Sequence, residues 1–219
     1  MVAGQKMLGS DGKEVMLFPL PYMNISQGEL ETYSHAGILA MDFVGWDANG
    51  RVYNAPLYAP CTCTCVATID PSNNGRVFQS VGQVHTPMGL RSVLFMFFHD
   101  DNPIAMVGSR FSQGDIIGHT GLAGLGTTDI RSDHTHFNTA IGTFNPLNFW
   151  ENVPPEGKGE LVGSSHIYDT CFVNDTVLVE DYGYNWTTYK GGITPSGIRK
   201  NKFKWVLYAN KLRQKHNLK

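Results

Sequence analysis

Glycine and proline interrupt this chain so often that long helices have little room to form. The 24 glycines and 11 prolines are spread over all 219 residues, and the apolar runs between them are short. That pattern favours strands and turns. A hydrophobic content of 42% and an aromatic content of 11% describe a packed globule rather than a disordered polymer. The length suits one good-sized domain, or one domain with a small module.

Glu14 to Phe18 reads as a strand within a lead-in over residues 1–30. Val52 to Pro56 and Cys61 to Ile69 read as paired strands on either side of Ala59-Pro60. Pro71 to Gly75 is a turn signal. Arg76 to Val84 and Leu90 to His99 read as strands around Pro87-Met88-Gly89. Asp115 to His119 is a short strand, Gly121 to Gly126 a flexible loop, and His134 to Ile141 a last strand. Strands at this spacing describe a mainly β, antiparallel domain. A boundary is expected near Pro154-Pro155-Glu156-Gly157. It separates residues 1–155 from a small, partly β C-terminal segment over 156–219, with aromatic-rich runs at Cys171–Val179, Trp186–Tyr189 and Lys204–Tyr208.

The formal net charge of −2 predicts no nucleic-acid partner, but the charge is uneven. Residues 199–219 hold eight of the 17 Lys+Arg and no acid, which leaves the body at −10 and the tail at +8. Such a tail either solubilises the terminus or holds an anionic polymer or membrane face. Trp205, Tyr208 and Leu212 follow helical spacing within it. No segment approaches the ~20 apolar residues of a membrane span. Asp11, Lys13 and Glu14 ahead of Val15 to Leu20 do not make a signal peptide. Cys61, Cys63 and Cys65 alternate on one strand face and, with Cys171, are expected to be free thiols.

Eight histidines are present, and most histidines in proteins are satisfied polar residues rather than ligands. His134 and His136 differ because residues two apart on a strand point to one face. Two imidazoles in one small volume suit a transition metal. Upstream, Ser34-His35-Ala36-Gly37 is a turn, and Met41-Asp42-Phe43 puts a carboxylate inside an apolar strand. A buried carboxylate needs a cation or a hydrogen bond. Val93 to Phe98 is apolar enough for a core strand, and His99 stands at its exit.

Taken in order, the segments SHAG…MDF, FFHDD and HTHF resemble the lysostaphin/LytM-type zinc endopeptidases that cut peptidoglycan. Tyr58-Ala59-Pro60 and the glycine turn GHTGLAGLG before the HxH belong to the same likeness, which covers residues ~30 to ~145. The resemblance implies a zinc endopeptidase domain over 1–155, with one Zn2+ per chain held by His35, Asp42 and His136. It implies catalytic roles for His99 and His134, and names no substrate-binding residue. Six residues separate His35 from Asp42 where the family usually has three. Some phage-borne members share the longer form, and Asp47 is the fallback ligand. Asn138 stands where the family often has Glu. The implied substrate is bacterial peptidoglycan, cut at amide bonds of stem peptides or cross-bridges. Without an export signal, the resemblance points to a bacteriophage product. That is either an endolysin released from the host cytoplasm to the cell wall or a lytic part of the virion tail. The alternative is a non-catalytic wall-binding or virion-structural module on the same scaffold. In the peptidase reading the C-terminal segment is expected to meet anionic wall polymers or phage structural proteins.

Other motifs are weaker. Cys61-Thr62-Cys63-Thr64-Cys65 lacks the paired knuckles of a structural zinc site and suits three small core side chains better. Gly121 to Gly126 lacks the Lys-Ser/Thr of a phosphate loop. Trp186, Tyr189, Trp205 and Tyr208 either stack on sugars or make a small core. His85 and His119 read as strand-edge residues.

Overall fold

In the computed structural model, residues 1–153 and 158–191 are described. The boundary expected at residues 154–157, the basic stretch at 199–219 and the helix-like spacing within it lie outside them.

The early strands are β1 (Tyr22–Gln27), β2 (Ala40–Phe43), β3 (Trp46–Asp47), β4 (Gly50–Arg51), β5 (Pro56–Tyr58), β6 (Cys63–Ile69), β7 (Gly75–Ser80), β8 (Val84–Thr86) and β9 (Gly89–Arg91). Next come β10 (Val93–Phe98), β11 (Arg110–Phe111), β12 (Ile116–His119), β13 (Thr135–Ile141), β14 (Trp150–Val153) and β15 (Lys158–Leu161). Then follow β16 (Ser164–Ser165), the one-turn helix α1 (Ile167–Thr170) and β17 (Val177–Glu180). The molecule is mainly β.

One nine-stranded sheet dominates, in the order β11-β6-β7-β10-β13-β2-β1-β17, with β16 also on β13. Its pairs are antiparallel except β1 with β17, which run parallel. Strand alternation gives its two faces different partners. Phe43, Phe78, Phe95, Phe97 and Phe137 point into the larger core, where Phe18, Ile167 and Trp186 from flanking segments cover them. Phe97 stacks on Phe137 with centroids 4.7 Å apart. On the opposite face Val77, Leu94, Met96, Phe98 and Ala140 make a smaller core under Trp150 and Leu161. Asp42 and His136 share this second face, beyond the end of that smaller core.

Several strand expectations hold, among them β6, β10, β12 and β13. Others shift. Val52 to Pro56 does not pair with Cys61 to Ile69. Asn54 takes φ +51°, the chain bends, and β5 pairs with β12 while β6 pairs with β7 and β11. Glu14 to Phe18 is extended but not a regular strand. It makes single bridges to Leu8, His85 and Phe172 in turn, because both of its faces are buried among different segments. The run Arg76 to Val84 breaks at Gly82, whose φ is +86°. All four cysteines are free and buried. Burial pushes the Cys171 thiol up to about 12 and raises Cys61 and Cys63 as well, so they are inert core side chains. No helix among the described residues is long and apolar enough to cross a membrane.

Candidate metal centre

β13 lies between β10 and β2, which places His136 opposite Asp42 on one side and Phe98 on the other. Directly opposed strand residues have their Cβ atoms ~5 Å apart, so short side chains can meet there. The third member, His35, arrives from a single 3-10 turn at Tyr33–His35. Ile38 N–H donates back to the His35 carbonyl at 3.1 Å, and Gly37 takes φ +81°. This tight reversal is what the six intervening residues are for: it folds His35 back over the start of β2.

The three donor atoms form a triangle. His35 Nε2 to Asp42 Oδ1, His35 Nε2 to His136 Nδ1, and His136 Nδ1 to Asp42 Oδ1 are each 3.1 Å. His35 is fully buried, and Asp42 and His136 are nearly so. The network fixes one tautomer. The Gly28 carbonyl only accepts, so His35 Nδ1–H donates to it, at 2.8 Å, and the Nε2 of the neutral ring is a lone pair. That lone pair faces a carboxylate oxygen and another ring nitrogen. With both rings neutral and their protons on the outer nitrogens, all three atoms would present lone pairs, and one divalent cation would satisfy them together. Tetrahedral zinc with bonds of ~2.0–2.1 Å places its ligand atoms about 3.3–3.4 Å apart. Two imidazoles, one carboxylate and this spacing fit zinc, and the Gly28 carbonyl supplies the outer hydrogen bond that ligating histidines require. These three residues are the only group of this kind among the described residues.

Without a metal, the carboxylate and the rings draw protons toward one another. Burial pulls the His35 pKa down, but the adjacent Asp42 carboxylate outweighs it and the net shift is upward. Burial pushes Asp42 up, and hydrogen bonds from His136 and His35 overcome this to hold it well below the carboxylate range. His136 is lowered, chiefly by burial.

Two further imidazoles flank the triangle. His134 donates Nδ1–H to the Ser132 carbonyl at 2.7 Å and brings Nε2 to 3.5 Å from Asp42 Oδ2. His99 donates Nδ1–H to the Ala123 carbonyl at 2.7 Å, and its ring centroid lies 4.7 Å from that of His134. In both rings Nε2 is therefore the nitrogen that no backbone carbonyl uses. Burial, then the neighbouring His134, lowers the His99 pKa to about 4, so this ring is neutral at neutral pH. His99 has φ +78°, a strained value for a non-glycine residue and one that recurs at functional sites. The glycine loop explains how it is held. A Cβ at Gly121 would lie 2.2 Å from the His99 carbonyl, and Ala123 N–H donates to that carbonyl. Gly121 to Gly126 is thus a cradle for His99.

All five sequence-derived site residues come together in one place. The fallback, Asp47, instead caps its own turn by accepting from Asn49 N–H. Asn138 is fully buried and faces the site side of β13, but it serves the scaffold. It donates to the Leu39 carbonyl at 2.7 Å and accepts from Leu161 N–H at 2.9 Å. The carbonyls of Gly28, Ala123 and Ser132, which orient three of the rings, carried no signal in the sequence. His85 pairs with Asp11, and His166 pairs with the buried Glu29 at 2.5 Å.

No protein-family model matches the chain. It is 36% identical over 182 residues to Morphogenesis protein 1 of Bacillus phage B103, an overlap of 82% of this chain and 46% of that protein. The chain thus spans less than half of that relative's length. Among solved structures it is similar to the catalytic domain of lysostaphin from Staphylococcus simulans (18% identity, TM-score 0.40, 56% of this chain and 84% of that one). It is also similar to the catalytic domain of the prophage-encoded M23 protein EnpA from Enterococcus faecalis (14%, TM-score 0.41, 62% and 96%). The chain resembles the lysostaphin/LytM-type endopeptidases. Likeness at these TM-scores says nothing about the site, whose case rests on the distances above.

Proposed function

We propose that this chain is a zinc-dependent endopeptidase acting on bacterial peptidoglycan, at an amide bond of a stem peptide or cross-bridge. The observation that carries the reading is the triangle of ligand-type atoms, 3.1 Å on each side, with two imidazoles beside it that each give Nδ1–H to a backbone carbonyl. His35, Asp42 and His136 would hold one zinc. When bound, zinc supplies Lewis acidity toward water and toward a carbonyl oxygen. The chain's own contribution is proton transfer. A water oxygen bonds to the amide carbon, and its proton passes to the free Nε2 of His134 or His99. The carbon–nitrogen bond then breaks, and the same proton leaves with the amine. The other imidazole orients the water or the oxyanion; each such role is worth on the order of 10²-fold or more.

The Morphogenesis protein relative supports a phage origin, and with it either of two settings, a virion part that breaches the wall on entry or a released lysin. That same name favours a second reading, a virion-structural module without activity. Cleavage separates the two. The peptidase reading expects about one zinc per chain, new amine termini from purified peptidoglycan, loss of both on chelation, and recovery with zinc. Cleavage that survives His136→Ala would overturn it.

A further inference from the structure

The turn that carries His134 is held from outside by a side chain that resemblance to the family does not single out. Arg51, at the end of β4, directs Nη2 to the carbonyl of Arg131 at 3.2 Å and to the carbonyl of Asp133. Between those two carbonyls sits Ser132, whose own carbonyl accepts the His134 Nδ1–H. The tie runs both ways, because Asp133 Oδ2 accepts from Asn54 N–H at 3.0 Å. The Tyr53 ring lies 5.4 Å from the Arg51 guanidinium carbon, a cation–π contact that limits where the guanidinium can swing.

Little else fixes this turn. Ile130 and Arg131 are exposed. Beyond Arg51, the hydrogen bonds of residues 129–132 are local, between Asp129, Ile130, Arg131, Ser132 and their immediate neighbours. The backbone of His134 is anchored separately, by paired bonds to Gly121 at 3.0 and 3.2 Å. Arg51 therefore acts on the carbonyls that flank the one the ring uses, apart from the backbone pairing that anchors His134. One nitrogen, Nη2, reaches both carbonyls, and the planar guanidinium holds its two N–H bonds in fixed directions, which a freely rotating ammonium does not.

We propose that Arg51 is a positioning residue for His134. By fixing the carbonyls on either side of Ser132, it keeps the Ser132 carbonyl on Nδ1–H and so keeps Nε2 toward Asp42. Its functional meaning rests on the peptidase reading, in which that nitrogen moves a proton. The orientation itself does not.

The test is long-range 1H–15N correlation of the imidazoles in the zinc-treated full chain. Wild-type His134 shows one tautomer, Nδ1 protonated and Nε2 bare. In Arg51→Met the two His134 nitrogens lose most of their separation as tautomers exchange. Those of His99, held by the Ala123 carbonyl, keep theirs. Arg51→Lys restores part of the separation. A His134 signature unchanged in Arg51→Met overturns the proposal. If that variant does not fold, Arg51→Gln replaces it, with a partial loss at His134 expected and an unchanged signature again overturning. On peptidoglycan, kcat falls in these variants while KM holds. If the wild type cleaves nothing, the peptidase reading fails, and the tautomer result still decides the role of Arg51.

Discussion

His99 should make the metal-free protein sensitive to acid. Burial beside His134 holds its folded pKa at about 4, against ~6.5 for an unfolded histidine. Below pH 6.5 the unfolded chain takes up a proton that the folded chain refuses until about pH 4. The unfolded state then binds more protons, so stability is full at neutral pH and is lost as pH falls through that window. Between pH 7 and pH 4.5 the loss from this one ring is ~2 kcal/mol, taking 1.36 kcal/mol per pKa unit. The perturbation is His99→Asn, since asparagine tolerates the φ of +78° better than most residues. The assay is urea unfolding after chelation, because bound metal would add its own pH dependence. The variant starts from a different stability, so the readout is the change between the two pH values. That change should be smaller in the variant by ~2 kcal/mol, or about 1 M in midpoint for a typical urea slope. Equal losses in the two proteins would refute the claim that a buried, neutral His99 is held against its charge.

Three other outcomes follow from the same geometry. Zinc at about 100 times its Kd adds ~2.7 kcal/mol, which for a chain of this size raises Tm by roughly 5–11 °C; in Asp42→Asn the zinc-dependent rise should nearly vanish, as thermal scans with and without zinc will show. Asn138→Ala strips partners from the Leu39 carbonyl and the Leu161 N–H and should cost ~2–4 kcal/mol in urea unfolding. Phe137→Ala opens a cavity in the larger core beside Phe97 and should cost ~3–5 kcal/mol in the same assay.

The sequence revealed the parts of the site that depend on strand periodicity. His134 and His136 share a face because β13 is a strand, and Asp42 stands out because its neighbours Met41 and Phe43 are apolar and buried. Side chains on one strand are tied by a fixed repeat, so their relation can be read locally. What could not be read locally was pairing between strands. Nothing in Pro56 to Tyr58 signals that its partner is β12, some 60 residues later, rather than β6 next door. Backbone acceptors were invisible for a different reason. A carbonyl has no letter of its own, so Gly28, Ala123 and Ser132 acquire their roles only once the turns around them close.

Those carbonyls also explain how four imidazoles in one small volume come to differ. His35, His99 and His134 sit on turns or at strand ends, and each gives Nδ1–H to a nearby carbonyl. Each therefore leaves Nε2, the far nitrogen, free. His136 is the exception. It lies within β13, directly across from Asp42, where only the near nitrogen Nδ1 can reach a side chain as short as aspartate. Its Nε2 is left buried without a hydrogen-bond partner among the described residues, and the ring stacks on Phe98 at 5.3 Å. Both His35 and His136 turn a nitrogen toward Asp42, but only the His35 ring is oriented from behind by a backbone carbonyl. His136 is instead held by its place in β13 and by its packing on Phe98.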